Sequence, residues 1–125
     1  MHAQRVLIVD DNPLNIELAS YVLQEDGFIV EAAVDGDDAL ARIPALQPDL
    51  ILMDIQLPGV DGLTLTRQLK ARLPVPFTVV AFTAYAMRGD EEKMRAAGCD
   101  GYIAKPIDVA TFAAKVRSFM RPAGP

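Results

Sequence analysis

Five residues with usable chemistry, Asp10, Asp11, Asp54, Thr83 and Lys105, each stand at the end of a short apolar run. Brought together, they form a pocket of three carboxylates, one hydroxyl and one ammonium. Two carboxylates ~4 Å apart repel by about 4 kcal/mol at an effective dielectric of ~20. Three around one crevice therefore call for a cation beyond Lys105. Few, hard, partly hydrated oxygen ligands suit Mg²⁺, whereas Ca²⁺ takes more of them. No His or Cys adjoins these residues, which argues against zinc and copper. The residues alone predict a Mg²⁺ site built from Asp10 or Asp11, Asp54 and one backbone carbonyl, completed by water. A carboxylate beside Mg²⁺, faced by a Lys and a Thr, is arranged to accept a phosphoryl group. The cation, the Lys105 ammonium and the Thr83 hydroxyl could each engage one of its equatorial oxygens. Asp54 is the expected nucleophile because it lies centrally among the contributing segments. The product would be an acyl phosphate, whose lability in water suits a signal.

Taken singly, each residue has a plainer reading. An Asp after a strand caps a helix, a Thr there reflects β-propensity, and a lone Lys is solvated. What favours the chemical reading is that four such ends coincide on one rim. The elements predict that coincidence. Apolar runs rich in β-branched or aromatic residues occur at 5–9, 28–30, 50–53, 77–82 and, more weakly, 101–104. Three of them lack polar alternation, as strands buried on both faces do. Helical spacing fills the gaps. A segment from Pro13 to Glu25 is capped by Asp11-Asn12 and ended by Gly27. One from Gly36 to Ile43 is stopped by Pro44. Others run from Gly62 to Leu73, closed by Pro74 and Pro76, and from Asp90 to Ala97, ended by Gly98. A last one runs from Asp108 to Met120, with an acidic cap and Val109, Phe112, Val116 and Phe119 on one stripe. Strict β-α alternation predicts an α/β domain: a parallel sheet with helices on both faces and ligands outside the carboxyl ends of the strands.

The composition narrows the function classes. The 125 residues are enough for one domain with a core and too few for two. We place the domain at 1–121 and a short tail at 122–125. Asp plus Glu number 17 against 12 Lys plus Arg, a net charge of -5, so a phosphate backbone is repelled and direct nucleic-acid binding is not expected. Apolar runs fall far short of the ~20 residues that span a bilayer, and the start of the chain lacks a signal-peptide run; a soluble, cytoplasmic protein is expected. The one cysteine, Cys99, reads as a small buried residue, and the one histidine, His2, as inert.

Four segments match, in order, the motif blocks of a known family: Val6-Leu7-Ile8-Val9-Asp10-Asp11-Asn12, then 49–59 from Asp49 through Asp54 to Gly59, then Phe82-Thr83-Ala84, then Tyr102-Ile103-Ala104-Lys105-Pro106. Over essentially its full length the chain resembles the receiver domain of two-component response regulators. The segment 81–92 is similar to that of single-domain cell-division regulators of the DivK type and of receivers attached to hybrid kinases. The resemblance implies a flavodoxin-like (βα)5 sandwich with a five-stranded sheet of order 2-1-3-4-5. It implies that Asp54 takes phosphate from a histidine of a sensor kinase or phosphotransfer protein. It implies Mg²⁺ held by Asp11, Asp54 and the Gln56 backbone carbonyl, with Asp10 assisting through water. Lys105 would contact the phosphoryl group and precede a cis peptide to Pro106. Thr83 and Tyr102 would form the switch, and Gln56 and Tyr85 would tune hydrolysis. The output surface would be the fourth helix, fifth strand and fifth helix.

On the first helix, Ile16, Ala19 and Leu23 share one face and Leu14, Leu18 and Tyr21 another. The second face is expected to stay exposed and, with Pro106, to dock a kinase helix pair; the plainer reading is a helix packed on two sides. Monomer or weak dimer is expected. Three rival functions weaken on the residues. An aspartyl-phosphate phosphatase on a similar sheet needs a second carboxylate two residues after the nucleophile, where this chain has Gln56. A nucleotide- or flavin-binding domain needs a glycine-rich phosphate loop, which is missing. An adaptor that is never phosphorylated would not need the complete rim. A receiver cut from a hybrid kinase or larger regulator would keep this chemistry and change only its output.

Overall fold

The computed structural model describes residues 4–55, 57, 62–72, 77–84 and 90–120. Five strands, β1 (Arg5–Val9), β2 (Ile29–Ala33), β3 (Leu50–Asp54), β4 (Thr78–Thr83) and β5 (Gly101–Ala104), alternate with five helices, α1 (Pro13–Glu25), α2 (Gly36–Leu46), α3 (Gly62–Arg72), α4 (Asp90–Ala97) and α5 (Phe112–Phe119). All strand pairs are parallel and the order is β2-β1-β3-β4-β5, as expected. The central strands β3 and β4 are buried along their whole length, whereas the edge strands β2 and β5 mix exposed, half-buried and buried residues.

Successive side chains on a strand point to opposite faces, and this period divides the core in two. Leu7, Val9, Ile51, Met53, Val79 and Ala81 face α2, α3 and α4. Val6, Ile8, Leu52, Val80, Phe82 and Ile103 face α1 and α5, meeting Ala19, Leu23, Phe112 and Val116. Local chemistry sets the helix ends. The Asn12 side chain accepts from the Leu14 amide at 2.9 Å, with Pro13 in the first turn. Gly27, at φ 93°, ends α1 while the amides of Gly27 and Phe28 take the carbonyls of Gln24 and Leu23.

Two helix boundaries differ from the sequence expectation by more than one residue. α2 runs through Pro44 to Leu46 rather than stopping at Ile43. Leu46 is buried in the same core cluster as Ile43 and Phe77, and Gln47, in the left-handed region at φ 51°, returns its amide to the Ile43 carbonyl. Tertiary packing thus holds a last turn that the proline disfavours. α5 begins at Phe112, not Asp108. The Asp108 carboxylate bonds the Ala110 amide and its carbonyl takes those of Thr111 and Phe112, so 108–111 form a turn and Val109 is exposed instead of joining the stripe. The expected features at 1–3, 56, 58–61, 73–76, 85–89 and 121–125, which include His2, Gln56, Tyr85 and the tail, lie outside the described residues.

Candidate functional site

Because every strand runs the same way, the ends of β1, β3, β4 and β5 meet on one rim. Asp10 leaves β1 fully buried, its amide bonded to the Ala33 carbonyl and its Oδ1 accepting from the Asn12 amide at 2.9 Å. Asp11 follows, exposed. Asp54 is the last residue of β3 and Thr83 the last of β4, both buried. One carboxylate oxygen each from Asp10, Asp11 and Asp54 lie within 4.8 Å of one another. Lys105 Nζ stands 2.9 Å from Asp10 Oδ2 and 3.4 Å from Asp54 Oδ2. Its backbone amide bonds the Thr83 carbonyl at 2.7 Å, which ties β5 to the end of β4. The peptide from Lys105 to Pro106 is cis.

Each carboxylate pair at that spacing repels by about 3–4 kcal/mol at an effective dielectric of ~20, and the one Lys105 ammonium pairs with two of the three acids. Asp10 Oδ2 is buried without a well-directed hydrogen bond; the close Lys105 contact compensates its charge but misses hydrogen-bond angles. A carboxylate oxygen buried on these terms, beside two more hard oxygen donors, fits a small divalent cation.

Two contacts complete the site that the motifs did not disclose. The Phe82 ring lies under Lys105, with Nζ 4.9 Å from its centroid. Gly62 opens α3 directly against the end of β3: a Cβ there would lie 2.1 Å from the Asp54 carbonyl oxygen, and its amide bonds the Ile55 carbonyl. The strand period, which sends Phe82 to the face opposite Thr83, was the available signal for the first. The residue type at the start of a helix, where only a hydrogen fits, was the signal for the second.

Tyr102 is 38% exposed on β5. On α1, Ala19 and Leu23 are buried while Leu14, Leu18 and Tyr21 are 73%, 41% and 62% exposed and, with Glu17, line a shallow groove. Cys99 is buried near Thr66, and burial pushes its thiol above the usual range, away from the reactive thiolate.

Over residues 6–117 the sequence matches the family described as the response regulator receiver domain. The chain belongs to this family. The receiver is 42% identical over 120 residues to the polar-differentiation response regulator DivK of Brucella anthropi, covering 92% of this chain and 94% of that one. It is 43% identical over 116 residues to DivK of Brucella ovis, with the same coverage. Among solved structures it resembles the chemotaxis response regulator CheY4 of Vibrio cholerae, at 25% identity and TM-score 0.88 over 94% of this chain and 99% of that one. A CheY-like receiver domain protein of Methanospirillum hungatei JF-1 is 30% identical, at TM-score 0.82 over 93% and 92%. The receiver is thus a two-component signalling switch of the DivK-like kind. No helix among its described residues is long and apolar enough to cross a membrane.

Proposed function

We propose that this receiver domain is phosphorylated on Asp54 by a phosphohistidine of a sensor kinase or phosphotransfer protein, and that the phosphoryl group switches a protein-binding surface. The observation that carries this reading is the convergence of three carboxylates within 4.8 Å with the Lys105 ammonium between two of them. An ionised Asp54 oxygen attacks phosphorus in line. The P–N bond of the donor breaks, and the histidine nitrogen leaves with the electron pair. Asp10, Asp11, Asp54 and the Gln56 carbonyl would hold Mg²⁺, which supplies charge neutralisation for the transferring phosphoryl oxygens. Lys105 binds one of those oxygens, and the Thr83 hydroxyl a second.

Drawing Thr83 toward the phosphoryl group would open space into which Tyr102 turns, so that α4, β5 and α5 present a different surface. The phosphoryl group shifts this equilibrium only as far as its contacts differ between the two states. Gln56 and Tyr85 would set the lifetime of the acyl phosphate. The exposed Leu14, Leu18 and Tyr21 face of α1, together with Pro106, is the surface we assign to kinase docking. Two relatives sharpen the proposal. A receiver of 26% identity, DrrB, was solved in a BeF3-activated form, and BeF3 mimics a phosphoryl group. Kinship with DivK supports a role in polar differentiation or the cell cycle.

Acetyl phosphate tests the chemistry. Intact-mass measurement should show one phosphoryl group on the wild type only with Mg²⁺ present, and none on Asp54→Asn. Equal incorporation by both proteins would move the acceptor elsewhere.

A further inference from the structure

Phe82 precedes the expected switch residue, yet its side chain enters the opposite core with Phe112, Ile103 and Leu52. Its ring is fully buried, lies 4.9 Å from Lys105 Nζ, and packs at 5.8 Å and 34° against Phe112, the first residue of α5. The negative face of an aromatic ring attracts an ammonium most strongly where water is excluded, and the Lys105 side chain is only 14% exposed. Lysine reaches its partners on a flexible four-carbon stem. Two carboxylates, at 2.9 and 3.4 Å, leave the ammonium free to swing about the line joining them. A third contact on a different side removes that freedom.

We propose that Phe82 is a positioning residue for phosphoryl transfer: its ring, backed by Phe112, holds the Lys105 ammonium where a phosphoryl oxygen arrives. The claim rests on the phosphoacceptor reading of Asp54 and adds to it a contact between the reacting rim and the start of α5. Preorganised charge is effective because nothing must rearrange during reaction. A misplaced ammonium should therefore slow the chemical step more than it weakens Mg²⁺ binding.

The test uses Phe82→Leu, Phe82→Tyr, Lys105→Met and the Phe82→Leu/Lys105→Met double variant, with acetyl phosphate as donor and Mg²⁺ saturating. Phe82→Leu should lower the labelling rate roughly ten-fold, and Phe82→Tyr, which keeps the ring, should restore most of it. In the Lys105→Met background Phe82→Leu should have no further effect. In NMR spectra the Lys105 ε-methylene protons should be shifted upfield by the ring in the wild type and Phe82→Tyr, and return to ordinary positions in Phe82→Leu. Equal slowing by Phe82→Leu in both backgrounds, or unshifted Lys105 protons in the wild type, would overturn the proposal. A wild type that takes no phosphoryl group would instead overturn the phosphoacceptor reading, and the Lys105 resonances would still decide the contact. Should Phe82→Leu fail to fold, Phe112→Leu removes only the backing ring; a labelling rate and Lys105 shift identical to wild type in that variant would equally refute the proposal.

Discussion

At the amino ends of the strands the carboxylates are spread out, each with its own donors, whereas at the carboxyl ends three crowd together and one ammonium pairs with two of them. Ahead of β5, Asp100 Oδ2 accepts from the Val79 amide at 2.9 Å and from Lys70 Nζ at 3.2 Å. Ahead of β3, Asp49 accepts from the Arg5 amide at 2.8 Å. Before β2, Asp26 pairs with Arg117 at 2.6 Å, and that guanidinium also stacks on Phe28 at 4.5 Å. These acids close the lower edge of the sheet and bind strand to strand or helix to turn. Asp10, Asp11 and Asp54 instead crowd each other, and Lys105 pairs with Asp10 and Asp54. The contrast separates two uses of one side chain. Acids dispersed among donors bind the fold together, and acids crowded on one another fit a cation.

The largest expected effect at the crowded end comes from Gly62→Ala. The added Cβ meets the Asp54 backbone at 2.1 Å, too close to be absorbed by a side-chain rotation, so the start of α3 or the end of β3 must move. Overpacking of this kind costs about 1–3 kcal/mol. Chemical denaturation should show that loss, and Mg²⁺ titration should show weakened binding because Asp54 is displaced.

The same chemical change should have opposite signs at the two ends. Without divalent ions, Asp11→Asn should raise stability by up to about 1 kcal/mol, since it relieves repulsion in the pocket. It should also shrink the stabilisation that Mg²⁺ confers on the wild type. Asp100→Asn should lower stability by about 0.5–1 kcal/mol through the weakened Lys70 and Val79 bonds, with an undiminished response to Mg²⁺. Thermal melts of both variants with and without Mg²⁺ check the pair. Destabilisation by Asp11→Asn would erase the distinction between the ends.

The smallest effect sharpens the comparison with an acid that lies outside the pocket and is satisfied. Asp38 accepts from the Val34 amide at 3.1 Å and from Arg42 Nε at 2.9 Å, and these bonds, the amide first, hold its carboxyl below the ordinary 3.8. A folded-state value below the unfolded one means the carboxylate contributes stability above 3.8 and loses it as pH falls through the lower, folded value. Asp38→Asn should therefore flatten the acid limb of the stability–pH curve only in that range. A wild-type limb unchanged by the substitution would refute the assignment.

How legible the molecule was in its sequence differs by scale. The β-α alternation, both faces of the sheet, and the buried and exposed sides of α1 followed from periodicities of two and 3.6 residues. The end of α2 did not, because the proline signal at Pro44 was local and the burial of Leu46 in the core was not. Asp108 looked like a cap, yet it closes a turn with its own carbonyl and carboxylate, and no pattern distinguishes the two.

The chain by itself determined that Asp10, Asp11, Asp54, Thr83 and Lys105 end strands, and parallel strands that share a direction must gather their ends on one rim. Tertiary structure alone decided which neighbours those groups acquire: the ring of Phe82 beneath Lys105, and Gly62 flush against the Asp54 carbonyl. Those contacts join segments distant in sequence, and their distances are set by how helices seat on the sheet rather than by any local preference of the backbone.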